Sequence, residues 1–284
     1  MTLTPRTHEA GRSRLVAYDL GATLATWEVD GRPVVWLSRE ARLDGTKGLR
    51  GGIPLCFPWF ASGPRGDLSP NHGPARTATW EALEPAEDEL WAWGLSSESL
   101  REAPGAEHLP GPFEARYAVR LPASDAPAVL EVELELRNPG AEGFPVEVAL
   151  HTYLAVADVH SAAVLGLDGV PYYDKVTRTR GVQQGPVSFT GETDLVLDSP
   201  GEPGVRLETG DGGVVELLPH GSTQTVVWNP WVDKAAETED LGDEEWQDFV
   251  CIETAATGGR ALSLPACGSV RIGCRFTVHL PVTA

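Results

Sequence analysis

A chain of 284 residues, 42% hydrophobic and 22% charged, is long enough for a sizeable core and has the composition of a soluble globular protein. Its 41 acidic against 22 basic residues give a formal charge of -19, which repels nucleic acid and anionic membrane surfaces, so an anionic ligand needs a local basic cluster. With 31 glycines and 23 prolines the chain must turn often, which favours β structure.

Met1 to Leu20 has scattered charges and no apolar run of signal-peptide or membrane-span length, so the chain is expected to stay in the cytoplasm. Asp30-Gly31, between apolar β-branched runs, has the chemistry of a two-residue hairpin, as does Asp211-Gly212 further on. From Arg50 to Phe60 two prolines four residues apart exclude a regular helix, and Gly51-Gly52 permits backbone closed to other residues; an extended, sharply shaped wall is expected. Leu130, Val132, Leu134 and Leu136 alternate with Glu131, Glu133 and Glu135 as in a half-buried strand, ending at the Asn138-Pro139-Gly140 turn. Val270, Ile272, Cys274, Phe276, Val278 and Leu280 repeat the alternation near the end of the chain. Helix is expected only within Lys234 to Gln247, a segment that also reads as an acidic loop. Cys56, Cys251, Cys267 and Cys274 are widely spaced without a Cys-x-x-Cys pair, so reduced and buried thiols are expected. Strands from residue 14 to 280 without interleaved helices predict a large all-β antiparallel sandwich, one domain over 1–284.

Within the wall, an aromatic ledge is flanked by Arg50, His72 and Arg76, which offers stacking, hydrogen bonding and two fixed forks for an anion such as a phosphorylated sugar. Phe144, Val146, Val148 and Leu150 point one way along a strand, so Glu147, Ala149, His151 and Tyr153 point the other. In Phe249 to Thr254 the same parity puts Glu253 on the face of Phe249 and Cys251, where desolvation raises a carboxyl pKa. By pattern alone His151 and Glu253 are more readily structural or solvated than catalytic, and nothing in the spacing says that they meet. His72, His151 and Glu253 are metal-ligand types without the close pairing of metal motifs, so no metal is expected. Gly-x-Ser-x-Gly, Walker and Gly-x-Gly-x-x-Gly loops are missing, which sets aside serine hydrolase, NTPase and dinucleotide readings. A carboxylate pair such as Asp194 with Glu253 keeps a glycoside hydrolase open. Trp59, Trp228 and Trp231 invite sugar stacking, although core packing is the commoner fate of tryptophan, and Trp59 has the best context.

Four blocks in order resemble the glucose-6-phosphate 1-epimerase (hexose-6-phosphate mutarotase) family of the aldose 1-epimerase superfamily. They are Arg50 to Phe60, His72 to Arg76, Leu150 to Leu154, and Val227 to Trp231 leading through Asp240 to Val250-Cys251-Ile252-Glu253, with Gly191 to Asp194 a weaker fifth. Two departures stand out: Pro74 replaces an aromatic in His-Gly-Pro-Ala-Arg, and Thr238-Glu239 precede Asp240 where the family carries methionine. The resemblance implies a β supersandwich of galactose mutarotase type, binding a sugar phosphate on its concave face without cofactor or metal. It assigns His151 as general acid and Glu253 as general base; Arg50 and Arg76 as phosphate or hydroxyl ligands; His72 and Asp194 as groups holding the ring; and Lys175 as a further anion ligand. Such a site interconverts α and β anomers with Glu253 ionised and His151 protonated together, and a carboxylate such as Asp194 is expected to help hold the imidazolium. A non-catalytic carbohydrate-binding module is the alternative outside enzymes. The expected partner is a small-molecule sugar phosphate, with no nucleic acid or membrane, and a monomer is favoured.

Overall fold

The computed structural model describes residues 2–123 and 127–281. Among these, strands form a twelve-stranded sheet, a nine-stranded sheet and a two-stranded ribbon. Neighbouring strands pair antiparallel, and the two large sheets share one apolar core in which Leu15, Trp27 and Leu55 meet Leu130, Ile272 and Phe276. The all-β sandwich expected from the alternation is the architecture found.

The central ladder of the nine-stranded sheet shows why. Ala128–Arg137 pairs with Ser269–His279 over their length, and Leu130, Val132, Leu134 and Leu136 are all buried. Each such side chain contributes about 1.5–3 kcal/mol on leaving water. On the opposite face Glu131 meets Arg275 and Glu135 meets Arg271, cross-strand ion pairs in register with the ladder. Exposed pairs contribute at most about 1 kcal/mol each, so the buried face decides register and the charges keep the outer face wet.

Local chemistry predicts one of the two hairpin turns. Asp30 and Gly31 both have positive φ, 50° and 74°, and join Thr23–Val29 to Arg32–Val35 by a tight turn. Asp211-Gly212 differs: it lies in a longer loop closed by Thr209 N–H donating to the Gly213 carbonyl at 3.0 Å, because the Asp211 carboxylate binds the Thr209 hydroxyl and the Gly213 N–H. The acidic segment divides. A six-residue helix, Trp231–Ala236, begins before the expected start, Glu245–Gln247 forms one 3-10 turn, and the stretch between is loop. Three cysteines are buried, whereas Cys267 is exposed, in a turn after the Leu262–Leu264 strand. Among the described residues no helix is long and apolar enough to cross a membrane.

Candidate active site

The wall at residues 50–60 is built by close backbone approach. Gly52 has φ 76°, and a Cβ there would lie 2.5 Å from the Leu24 carbonyl oxygen. Gly73, at φ 79°, would bring a Cβ to 2.1 Å from the Phe57 carbonyl oxygen, so only glycine lets the second block dock on the first. Phe57 N–H donates to the His72 carbonyl at 3.1 Å, and Ala61 N–H donates to His72 Nδ1 at 3.2 Å. With Nδ1 occupied as an acceptor, the neutral ring keeps its proton on Nε2. Pro74 opens the buried 3-10 turn Pro74–Arg76, where its fixed φ suits a helical start. From the other side Glu147, buried, accepts the N–H groups of Phe60 and Gly258 at 3.0 and 2.5 Å and ties wall to sheet.

Across the larger sheet, register sets the chemistry. Val148–Leu150 and Tyr153–Ala155 pair with the two ends of Phe249–Ala256 in a single register, Leu150 opposite Thr254 and Tyr153 opposite Cys251. Counting inward from both ends puts His151 opposite Glu253, and directly opposed residues share a face. The ladder opens there: His151 N–H turns to the Pro54 carbonyl at 3.0 Å, while Ile252 N–H reaches the Thr152 carbonyl at 3.1 Å. His151 Nε2 lies 3.4 Å from Glu253 Oε1, with side-chain exposures of 8% and 1%. Among the described residues, His151 Nδ1 and Glu253 Oε2 are buried without a hydrogen-bond partner.

Two rows of side chains run along the same face. From Glu253 the register leads to Val226, Val196 and Tyr173; from Tyr153 it leads through Cys251 to Trp228 and Asp194. Lys175 continues the second row, its N–H on the Asp194 carbonyl and its Nζ 3.0 Å from Asp194 Oδ2. Around His151, the Tyr153 ring stacks at 4.9 Å with planes 12° apart, His72 packs edge-on at 5.5 Å, and Trp228 edge-on at 5.9 Å.

The electrostatics differ from the expected charged pair. Burial, then Arg76, His72 and Arg50, press the His151 pKa well below its ordinary value, while burial and then Asp194 push Glu253 well above its own, against Lys175 and Arg76. Both directions favour a resting pair that holds one proton and no net charge. Asp194 does not serve to hold an imidazolium: burial raises its own pKa, and its carboxylate is paired with Lys175. Burial, then the cations Arg76, Lys175 and Arg50, keeps His72 neutral as well.

Of the basic residues, Arg50 is held by Asp240 at 3.0 Å and donates to the Tyr153 hydroxyl at 3.3 Å. Arg76 is buried, donates to the Leu49 carbonyl at 3.2 Å, and has no carboxylate at ion-pair distance among the described residues. With His72, Lys47 and Asp240 these arginines line a cavity of about 390 Å³, which meets His151 through the His72 ring. A second cavity of about 720 Å³ follows the sheet along the row that starts at Glu253, lined by Phe60, Tyr173, Lys175, Arg180 and Val196. The structure thus brings together His151, Glu253, Arg50, His72, Arg76, Asp194 and Lys175. It does not bring Trp59 to them: that indole is buried in packing, its N–H on the Pro70 carbonyl at 2.8 Å and its edge against His108. Trp228 takes the aromatic place beside His151 instead. Tyr153, Asp240 and Glu147 enter the site without having been singled out; Tyr153 and Glu147 share the strand parity of His151, which was the available signal. Among the described residues, no group of three or more His, Cys, Asp and Glu side chains is arranged to hold a metal ion.

The aldose 1-epimerase family profile matches residues 6–266. This chain belongs to the aldose 1-epimerase family. Its enzyme class is therefore that of an isomerase, and the aldose 1-epimerase match covers both the wall and the His151–Glu253 strands. The chain is 30% identical over 266 residues to a Cenchrus ciliaris protein named "Putative glucose-6-phosphate 1-epimerase", covering 84% of this chain and 74% of that one. A Salmonella typhimurium protein of the same name is 31% identical over 243 residues, covering 82% and 76%. Among solved structures, a Salmonella typhimurium "putative mutarotase" superposes with TM-score 0.81 at 25% identity, over 98% of this chain and 93% of that one. A galactose 1-epimerase from Lactobacillus acidophilus shares the aldose 1-epimerase fold, with TM-score 0.74 at 10% identity over 98% and 95% of the two chains.

Proposed function

We propose that this family member is a hexose-6-phosphate mutarotase, interconverting the α and β anomers of an aldohexose 6-phosphate, with glucose 6-phosphate the first candidate. The observation that carries the proposal is the buried cross-strand pair, His151 with Glu253, each leaving one polar atom unpartnered. Buried polar atoms without partners are rare and costly, and a bound sugar supplies hydroxyl and ring oxygens to satisfy them.

Opening a pyranose requires removal of the O1 proton and delivery of a proton to O5, so that no charge accumulates. Glu253 takes the first and His151 gives the second; after rotation about C1–C2, the reverse transfers close the ring on the other face. The pair needs one proton in total for this exchange, which is the number that its surroundings favour. The ion-pair arrangement, imidazolium with carboxylate, is the reacting tautomer of that one-proton state.

Charge placement supports the phosphate. C6 is attached to C5, which bears O5, so a 6-phosphate falls on the side of the acid that serves O5. Arg50, Arg76 and Lys47, with Asp240 paired to Arg50, line the cavity that includes His72, the ring packed against His151, and Arg76 has no carboxylate at ion-pair distance among the described residues. His72, with Nε2–H free of the Ala61 bond, and Asp194 with Lys175 are placed to hold ring hydroxyls. The names of the Cenchrus ciliaris and Salmonella typhimurium relatives support the same substrate class. We read residues 1–284 as one domain, supported by the continuous core, and place it in the cytoplasm, a reducing compartment that suits its free thiols.

The test is polarimetry or exchange NMR on fresh α-anomer, comparing glucose, galactose and their 6-phosphates with and without protein, after subtraction of spontaneous mutarotation. Faster equilibration of the 6-phosphates supports the proposal; equilibration at the spontaneous rate for all four sugars sinks it. Release of a new reducing end from a disaccharide would point to hydrolysis by Glu253 with Asp194 instead.

A further inference from the structure

Arg50 and His151 do not touch, yet one side chain joins them. The Tyr153 hydroxyl receives an Arg50 N–H at 3.3 Å, and the Tyr153 ring lies flat against the His151 imidazole at 4.9 Å. Tyr153 is itself immobilised: it is buried, with Trp36 stacked at 6.0 Å, Phe249 tilted at 5.2 Å and Trp228 edge-on at 6.1 Å. Arg50 is fixed from its other side by Asp240 at 3.0 Å. A displacement of Arg50 toward an anion in its cavity therefore has one rigid connection along which to act, and that connection ends on the general acid.

We propose that Tyr153 is a positioning residue that couples the anion cavity to His151, so that an anion bound by Arg50 and Arg76 raises turnover at C1 as well as affinity. This rests on the mutarotase assignment above and gives the phosphate a second task. Energy from a remote, non-reacting part of a substrate accelerates a reaction when it orients the reacting groups. Here Arg50 and Arg76 are also two of the cations facing His151, with His72, Glu253 and the Tyr153 phenol as the other titratable neighbours. An anion that neutralises those arginines relieves the pressure keeping His151 unprotonated and favours the reacting tautomer.

The experiment separates the anion from the sugar. Mutarotation of plain glucose is measured with and without inorganic phosphate, and again with sulfate, subtracting the protein-free rate at each concentration because the buffer anion catalyses mutarotation itself. In the parent protein, saturating anion should raise kcat about tenfold or more. Tyr153→Phe keeps the ring and removes the hydroxyl; it should bind the anion within about threefold of the parent, since Arg76 remains, and lose most of the activation. Tyr153→Leu should lower kcat on both glucose and its 6-phosphate by about 10–100-fold, through a misplaced imidazole. No activation in the parent, or equal activation in parent and Tyr153→Phe, overturns the proposal. Glucose 6-phosphate itself is the control: if the parent equilibrates it faster than the spontaneous rate while Tyr153→Phe is activated normally, only the coupling fails; if the parent leaves it at the spontaneous rate, the mutarotase assignment itself fails.

Discussion

His151 and Glu253 face one another across two antiparallel strands, Nε2 3.4 Å from Oε1, in the one short interval where the ladder between them opens. Directly opposed side chains are the closest neighbours a sheet provides, and the open rung frees the His151 backbone to bind Pro54 instead. An imidazole and a carboxyl group are thus held together by backbone register and need no flexible loop to bring them there. Substitutions that keep shape and remove titration should therefore report on chemistry alone. Glu253→Gln and His151→Asn are each expected to lower kcat for the 6-phosphate by about 10²–10⁴, the range of a positioned acid or base. Near-parental turnover by either, measured by exchange NMR, would remove that residue from the mechanism.

Burial of both partners predicts a wide pH plateau. The active pair carries one proton. On the acid side a second proton must enter His151, whose pKa lies well below 6.5 because of burial, Arg76, His72 and Arg50. On the alkaline side the remaining proton must leave Glu253, whose pKa lies well above 4.5 because of burial and Asp194. The kcat/KM profile for plain glucose, which brings no phosphate ionisation of its own, should be bell-shaped, with its acid limb below the ordinary histidine range. A single ionisation with a midpoint at 6.5 would contradict the coupled pair.

Burial of Glu253 carries a stability cost that one substitution should recover. The folded-state pKa of Glu253 is raised, so its favourable contribution is full below the unfolded value near 4.5 and is lost as pH rises through the folded value. Glu253→Gln titrates in neither state. Its melting temperature relative to the parent should climb between about pH 4 and pH 8. Calorimetry at both ends of that range would refute this by finding a constant or falling difference.

Arg76 should distinguish phosphorylated from plain sugar. It is a buried cation without a carboxylate partner among the described residues, so a phosphate gains a charge-assisted contact that the free hexose lacks. Arg76→Ala is expected to raise KM for glucose 6-phosphate by about 10–100-fold and for glucose by much less. Equal losses on the two sugars would move the phosphate elsewhere.

Gly73 should be irreplaceable on structural grounds. At φ 79°, with a virtual Cβ 2.1 Å from the Phe57 carbonyl, Gly73→Ala must distort the contact that carries His72 and Arg76 to the wall. A loss of at least about 2 kcal/mol in denaturant unfolding is expected, together with impaired turnover. Parental stability would show that the two blocks are not rigidly docked.

The sequence by itself determined the strands and their faces. Alternation at Leu130 to Leu136 or Val270 to Val278 depends on the two-residue period of extended chain, which neighbours in space do not alter. It also held the order of the motif blocks and the parity that places Glu147, His151 and Tyr153 on one side. Tertiary structure alone decided what those faces meet. Whether Trp59 or Trp228 stands beside His151 depends on which side of the wall closes over which ring. Whether the acid and base rest charged or neutral depends on burial and on Arg50, Arg76 and Asp194, contributed by segments far apart along the chain. Periodicity is a property of one strand, whereas a cross-strand register and a local field are sums over many, and these exist only once the sheets have closed.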